Sequence, residues 1–383
     1  MQYAEEVLSH TDGETQIQNT LLLLVFAHQH ATGTPSKPLN PVTEQQRRRL
    51  FWCCYVQERF AACGLGRPIA IADSDITVDY IQMPDYVCLD DLQKGLDTSI
   101  PNGAEVAVLN RQAQLRRISA KVREQLYARR DATNASFQAK AEAATQLNAE
   151  LEQWHIVHAE ISTITHSPCI FHTREYMDVN FYREKLFIFS TLVVPTGQEA
   201  HLFKPNVTYL RHCLDPAVQI IFLYQTLLAK GVKTTLWTWI QDILRSGFMI
   251  LYCGIHISNI LSSQDEATSS ITTNQIPEPS SIIKALDDCR QMLKNISLKW
   301  TAVTPHWMAF DRLSCEVRKL IENSPVPGTI LGSQGEGDDE MALSQTMNQG
   351  LWDVPMDMSC WDDLLDGDVN MSEVFGFDMN TFV

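Results

Sequence analysis

The sequence predicts an all-α fold: a large helical array followed by a disordered acidic C-terminal tail. Three observations lead there. Apolar residues return at helical spacing in one segment after another between residues 14 and 323. Extended signals are few and short, at Ile69–Ala72 and Ile76–Tyr80. The net charge of −16 is lopsided, because Gly332–Val383 holds twelve acids and no Lys or Arg, which leaves the rest of the chain near neutral for its size.

Taken in order, Glu14–His30 has an apolar centre and stops near Gly33. Thr43–Gln46 has the form of a capping box, so a helix is predicted to start at Thr43. Glu44 and Arg48 stand at i, i+4. Arg47, Arg48 and Arg49 in the first turns oppose the helix dipole, which calls for a compensating group outside the helix. From Leu50 to Val56 apolar residues cover nearly every face, the pattern of a buried helix. Gly64 and Gly66 end it. Further helices are predicted over 105–130, 136–164, 174–194, 209–229, 235–261, 281–300 and 306–323.

Two stretches break the pattern. Ser263–Ser281 is polar, Ser/Thr-rich and carries prolines, which reads as a surface loop. Ser324–Gly350 passes through "SPVPG" and "GSQGEGDDE", the composition of a flexible linker. The chain therefore divides into a helical domain over 1–325, a linker over 326–350 and an acidic–hydrophobic segment over 351–383.

Several function classes lose support. The longest apolar run, Leu21–Ala27, is far shorter than a membrane span, so no membrane partner is expected. The ten cysteines include no C-x-x-C pair and sit largely in apolar runs, as buried thiols in a reducing compartment do. No nucleophile elbow, zincin helix, P-loop or dinucleotide fingerprint is present, so no catalytic residue is assigned and the chain is not expected to be an enzyme. Asp362-Asp363-Leu364-Leu365-Asp366 has the D-D-x-x-D form that binds magnesium and diphosphate in helical prenyl-chain and terpene enzymes, a remote alternative. Only a short stretch follows it, too little to complete a helical bundle around a metal. His155 and His158 lack a third ligand at a recognisable spacing, so no metal site is assigned.

The tail has a pattern of its own. Acids alternate there with bulky apolar residues, among them Trp361, Leu364, Leu365, Phe375 and Phe377. Such interleaving is the composition of amphipathic activation segments, in which mutually repelling carboxylates keep large side chains in water for a partner's groove. Coactivator proteins are the expected partners of these five residues.

The run "RRRLFWCCYVQERFAACGLGRPIAIADSDI" resembles the central block of the fungal-specific transcription factor domain, the middle homology region of the zinc binuclear cluster regulators. Arg48, Arg49, Leu50, Phe51, Trp52, Tyr55, Arg59, Gly66, Arg67, Pro68, Ile71 and Asp75-Ile76 carry the likeness, and weaker matches continue over roughly residues 10–320. The resemblance implies a nuclear transcriptional regulator of a metabolic or secondary-metabolite pathway, acting as a homodimer or heterodimer. It implies an architectural role for the Gly66-Arg67-Pro68 block, with Arg67 answering helix-end carbonyls or buried acids and Pro68 fixing the turn. It also implies an upstream six-cysteine zinc cluster as the DNA reader. This sequence lacks that spacing, so no cofactor is expected in the chain itself, and DNA contact is expected only indirectly or through that upstream domain. A ligand-sensing or dimerisation module without activation of its own is the alternative.

Overall fold

The computed structural model describes residues 41–64, 69–81, 104–127, 136–161, 173–194, 205–231, 237–262, 278–298 and 300–323. Among them are eight α-helices and no strand. The helices are α1 (Pro41–Gly64), α2 (Ala104–Val122), α3 (Phe137–Ile161), α4 (Arg174–Val193), α5 (Val207–Ala229), α6 (Trp237–Ser262), α7 (Pro279–Ser297) and α8 (Thr304–Asn323). The helix expected over Glu14–His30 lies outside the described residues.

Local chemistry explains most boundaries. α1 begins at Pro41, so Thr43 lies inside the first turn and not at the cap; proline's fixed φ suits the first helical position. Ser136 caps α3 by accepting from the Ala139 amide at 3.2 Å, and Asn206 caps α5 by accepting from the Thr208 amide at 2.8 Å. α7 starts with Pro279, which takes the end of the expected 263–281 loop into the helix. It stops at Ser297, short of Trp300, and a 3-10 turn at Thr301–Val303 leads into α8. α2 runs on into a π-helical turn at Arg123–Tyr127. The extended signals of 69–81 form no strand; the backbone there is irregular around a 3-10 turn at Asp73–Asp75.

The described residues fall into two compact units. The first takes those within 1–132 and 145–177, the second those within 133–144 and 178–383. In the first, α1 packs on α2, and Trp154 of α3 donates its indole N–H to the Arg111 carbonyl at 2.9 Å. In the second, α5, α6, α7 and α8 pack on one another. α6 is the central member. Its stretch Trp239–Ile260 is long and apolar enough to cross a membrane, yet most of it is buried against its neighbours. A Cβ on Gly247 would fall 2.6 Å from the Cys289 sulfur and 2.7 Å from a Phe310 ring carbon. A Cβ on Gly254 would fall 3.2 Å from both Ile321 and Val317. The α6 backbone therefore meets α7 and α8 directly.

Polar groups are also buried in the second unit. The Tyr224 hydroxyl donates to Asp242 Oδ2 at 2.7 Å, and Arg183 Nη1 donates to the same oxygen at 3.3 Å while its other arm reaches Asn180. This network joins α4, α5 and α6 through side chains alone.

Candidate functional site

The stretch that stood out in the sequence builds a clasp in the first unit. Phe51, Trp52, Tyr55, Glu58 and Arg59 lie one or two α1 turns apart and are all buried. Residues 69–81 lie against them, and the shared core adds Ile71, Val78, Ile81, Val106 and Ala113. A non-helical segment has backbone polar groups without ladder partners, and burial makes each a cost of about 1–3 kcal/mol if left unmet. Side chains meet them here. Glu58 Oε1 accepts from the Ala70 amide at 2.7 Å, Arg59 Nη2 donates to the Ile71 carbonyl, and the Trp52 indole donates to the Asp79 carbonyl at 3.0 Å. Asn110 of α2 closes the far end, donating to the Ile81 carbonyl at 2.9 Å and accepting from the Ile81 amide at 3.3 Å.

Charge is held by charge and by rings. Arg59 is 1% exposed, and its guanidinium donates to Asp73 Oδ1 at 3.1 Å, faces Glu58 at 3.6 Å and lies 4.7 Å from the centroid of the Tyr55 ring. The Tyr55 hydroxyl donates to the same Asp73 oxygen at 2.7 Å, and burial pushes the phenol pKa up. Trp52 stacks on Tyr80 at 4.5 Å, and the Arg117 guanidinium of α2 sits 5.3 Å and 5.1 Å from those two rings. Such a cation–π contact contributes about 0.5–2 kcal/mol, more as water is excluded.

Each residue singled out in the sequence can now be placed. Phe51, Trp52 and Arg59 are central to the clasp. Leu50 is half-buried, as are Cys53, Cys54 and Val56, so the burial expected on every face of α1 is only partial. Arg47 and Arg48 are answered by Glu44 at 3.7 Å and 3.1 Å, from within the same helix. Arg49 is half-buried. Gly66, Arg67 and Pro68 lie outside the described residues, as do Trp361, Leu364, Leu365, Phe375 and Phe377.

Within the described residues Arg59 meets Glu58 and Asp73, and Arg123 donates to the Ala62 carbonyl near the end of α1 at 3.3 Å. Sequence reading missed Asp73, Glu58, Asn110, Arg117 and Arg123. Asp75 drew attention, but its carboxylate is exposed beside Ser74, and it is Asp73 that faces the clasp. One usable signal was the i, i+4 spacing of Tyr55 and Arg59, which puts a phenol and a guanidinium side by side on one helix face.

Nothing in this arrangement pairs a nucleophile with a base. The thiol of Cys53 is pushed up to about 12 by burial and by its neighbour Cys54, and burial also raises Cys213, Cys253 and Cys289, which disfavours the reactive thiolate. Among the described residues no three His, Cys, Asp or Glu side chains converge to hold a metal ion.

A clasp of this make-up, arginine and tryptophan on a buried helix closing over an irregular segment, coincides with a family match. Residues 16–156 match the family described as the fungal specific transcription factor domain. The match covers 141 of the chain's 383 residues. The clasp lies wholly inside the domain as matched. Similar proteins include Pyrimidine pathway regulatory protein 1 of Saccharomyces cerevisiae, 23% identical over 241 residues, which cover 62% of this chain and 26% of the relative. An uncharacterized transcriptional regulatory protein of the same yeast is 22% identical over 214 residues, covering 54% of this chain and 14% of the relative. The chain thus spans about a quarter or less of the length of these relatives. The matched family is described as a transcription factor domain, and both relatives are named as regulatory proteins. No solved structure matches the chain.

Proposed function

We propose that this chain is the regulatory body and activation segment of a fungal transcriptional regulator. The observation that supports this best is the family match over 16–156, which contains the clasp, in a chain whose last 33 residues interleave acids with Trp361, Leu364, Leu365, Phe375 and Phe377. The helical body acts as a scaffold. In it the block Arg48, Arg49, Leu50, Phe51, Trp52 and Arg59, continuing through Gly66, Arg67 and Pro68, is architectural: it fixes the path of the chain after α1. The acidic segment recruits coactivator proteins in the nucleus, and the regulated genes belong to a metabolic or secondary-metabolite pathway. DNA is reached through a zinc cluster on the same polypeptide or through a partner, including a second copy or a related regulator. A chain of net charge −16 is itself a poor ligand for duplex.

The test is a reporter assay with residues 332–383 fused to an unrelated DNA-binding domain. Full burial of each large anchor gains about 1.5–3 kcal/mol, set against an ordering cost of about 2–5 kcal/mol for the segment, so several anchors are needed together. The fusion is expected to activate, and Trp361→Ala with Leu365→Ala and Phe377→Ala to abolish activation. A triple variant as active as its parent would reduce the tail to a solubilising end.

A further inference from the structure

The second unit ends in a helical hairpin. α7 and α8 run antiparallel, with Arg290 facing Asp311 at 3.5 Å and Arg318 facing Asp287 at 3.0 Å. Leu298, residues 300–303 and the first turn of α8 form its tip, which has three notable features. Its apolar side chains face water: Leu298 is 77% exposed and Met308 52%, with Trp300 and Trp307 half-buried in the same stretch. From Gln291 to Phe310 the sequence has no acid and two strong bases, Lys294 and Lys299. The Lys294 ammonium lies 6.0 Å from the centre of the Trp307 ring, whose buried Nε1 donor has no acceptor among the described residues.

We propose that residues 351–383 of the same chain dock on this tip. The chemistry is complementary. The segment carries acids without a single base, interleaved with aromatic and aliphatic side chains, and the tip offers cations beside exposed Leu298 and Met308. Carboxylates meet the ammonium groups while the apolar anchors cover the exposed side chains and take them out of water.

The reach also fits. The 20 residues of α8 rise about 30 Å, so the chain leaves Asn323 at the end of the hairpin away from the tip. A coil of the length and composition of 324–350 has an end-to-end distance of roughly 30 Å. A tether matched to the span gives an effective concentration on the order of millimolar, so even a weak contact is populated without a second molecule. The anchors that dock on the tip are the ones proposed above to enter a coactivator groove. If that reading holds, docking and activation compete for them.

Zero-length carbodiimide cross-linking of the dilute full chain tests this, with peptide mapping of the monomer band. Lys294 and Lys299 are expected to couple to acids between Asp353 and Asp378 roughly tenfold more often than the exposed Lys230 does, a difference worth about 1.4 kcal/mol of preference. Leu298→Glu with Met308→Glu should remove that excess and leave the helical content unchanged, since neither side chain belongs to the buried core of the hairpin. Trp361→Ala with Phe375→Ala and Phe377→Ala, which leaves the body untouched, should remove it equally. Coupling spread evenly over the lysines, coupling confined to a dimer band, or an excess that survives both variants would overturn the proposal. The reporter fusion lacks the hairpin, so a segment that activates there but shows no tip coupling defeats this inference alone. A segment that couples to the tip but fails to activate defeats only the activation reading.

Discussion

The two units solve the same problem, burying a core, by different means. In the first, a helix encloses an irregular segment, and directional contacts settle the fit: Arg59 to the Ile71 carbonyl, Trp52 to the Asp79 carbonyl, Asn110 to both polar groups of Ile81. In the second, helices meet along close-packed surfaces, with Gly247 and Gly254 letting α6 approach α7 and α8. Directional contacts need particular side chains, because only a given donor at a given reach meets a given carbonyl. Close packing needs only total volume and pattern, and many apolar combinations supply those. The family match covers 16–156, which holds the clasp and stops before α4.

The contrast predicts unequal answers to volume-conserving substitution. Arg59→Met keeps bulk but strands the Ile71 carbonyl and leaves Asp73 and Glu58 without their cation, so it should cost about 3–5 kcal/mol, as removal of one partner from a buried pair does. Leu286→Met on α7, a fully buried apolar position, should cost less than about 1.5 kcal/mol. Chemical denaturation of both variants makes the comparison. Equal losses would mean the clasp is ordinary packing.

The hairpin unit should in turn show the acid sensitivity of a half-buried histidine. Burial beside Tyr252 lowers the pKa of His256 to about 4, below its ordinary 6.5. Between those values the unfolded chain binds a proton that the folded chain does not, so stability rises with pH through that window. The contribution is fully present above about 6.5 and is lost as pH falls toward 4, by up to roughly 3 kcal/mol. A melting series from pH 7 to pH 4 should lose this slope in His256→Gln.

Close approach in the second unit has a sharper probe. Gly247→Ala places a methyl where the Cys289 sulfur and Phe310 ring already lie, and should destabilise by about 1–3 kcal/mol. Gly254→Ala, with its nearest atoms at 3.2 Å on the ends of aliphatic side chains, should cost less. The reverse order of melting temperatures would mean that α6 is not held against α7 at Gly247. The smallest effect belongs to the clasp: Tyr55→Phe removes one hydrogen bond to Asp73, which keeps Arg59, and should cost about 1 kcal/mol.

Much of this was legible before any coordinates. The order and type of the described helices followed from apolar periodicity, and their ends moved by only a few residues where prolines at 41 and 279 began helices ahead of the apolar pattern. The block from Arg48 to Arg59 stood out because its arginines and large aromatics, followed by Gly66-Arg67-Pro68, resemble a known family block. What the sequence could not display was the partner of each directional group. Asp73 and Asp75 are the same residue type two positions apart, and only the 3-10 turn at 73–75 decides that one meets Arg59 and Tyr55 while the other stays in water. Asn110, Arg117 and Arg123 lie far along the chain from the groups they meet, and nothing local marks them. Local propensity and pattern are properties of neighbouring residues and can be read in order. Which donor reaches which carbonyl depends on distances in space, and those exist only once the helices have packed.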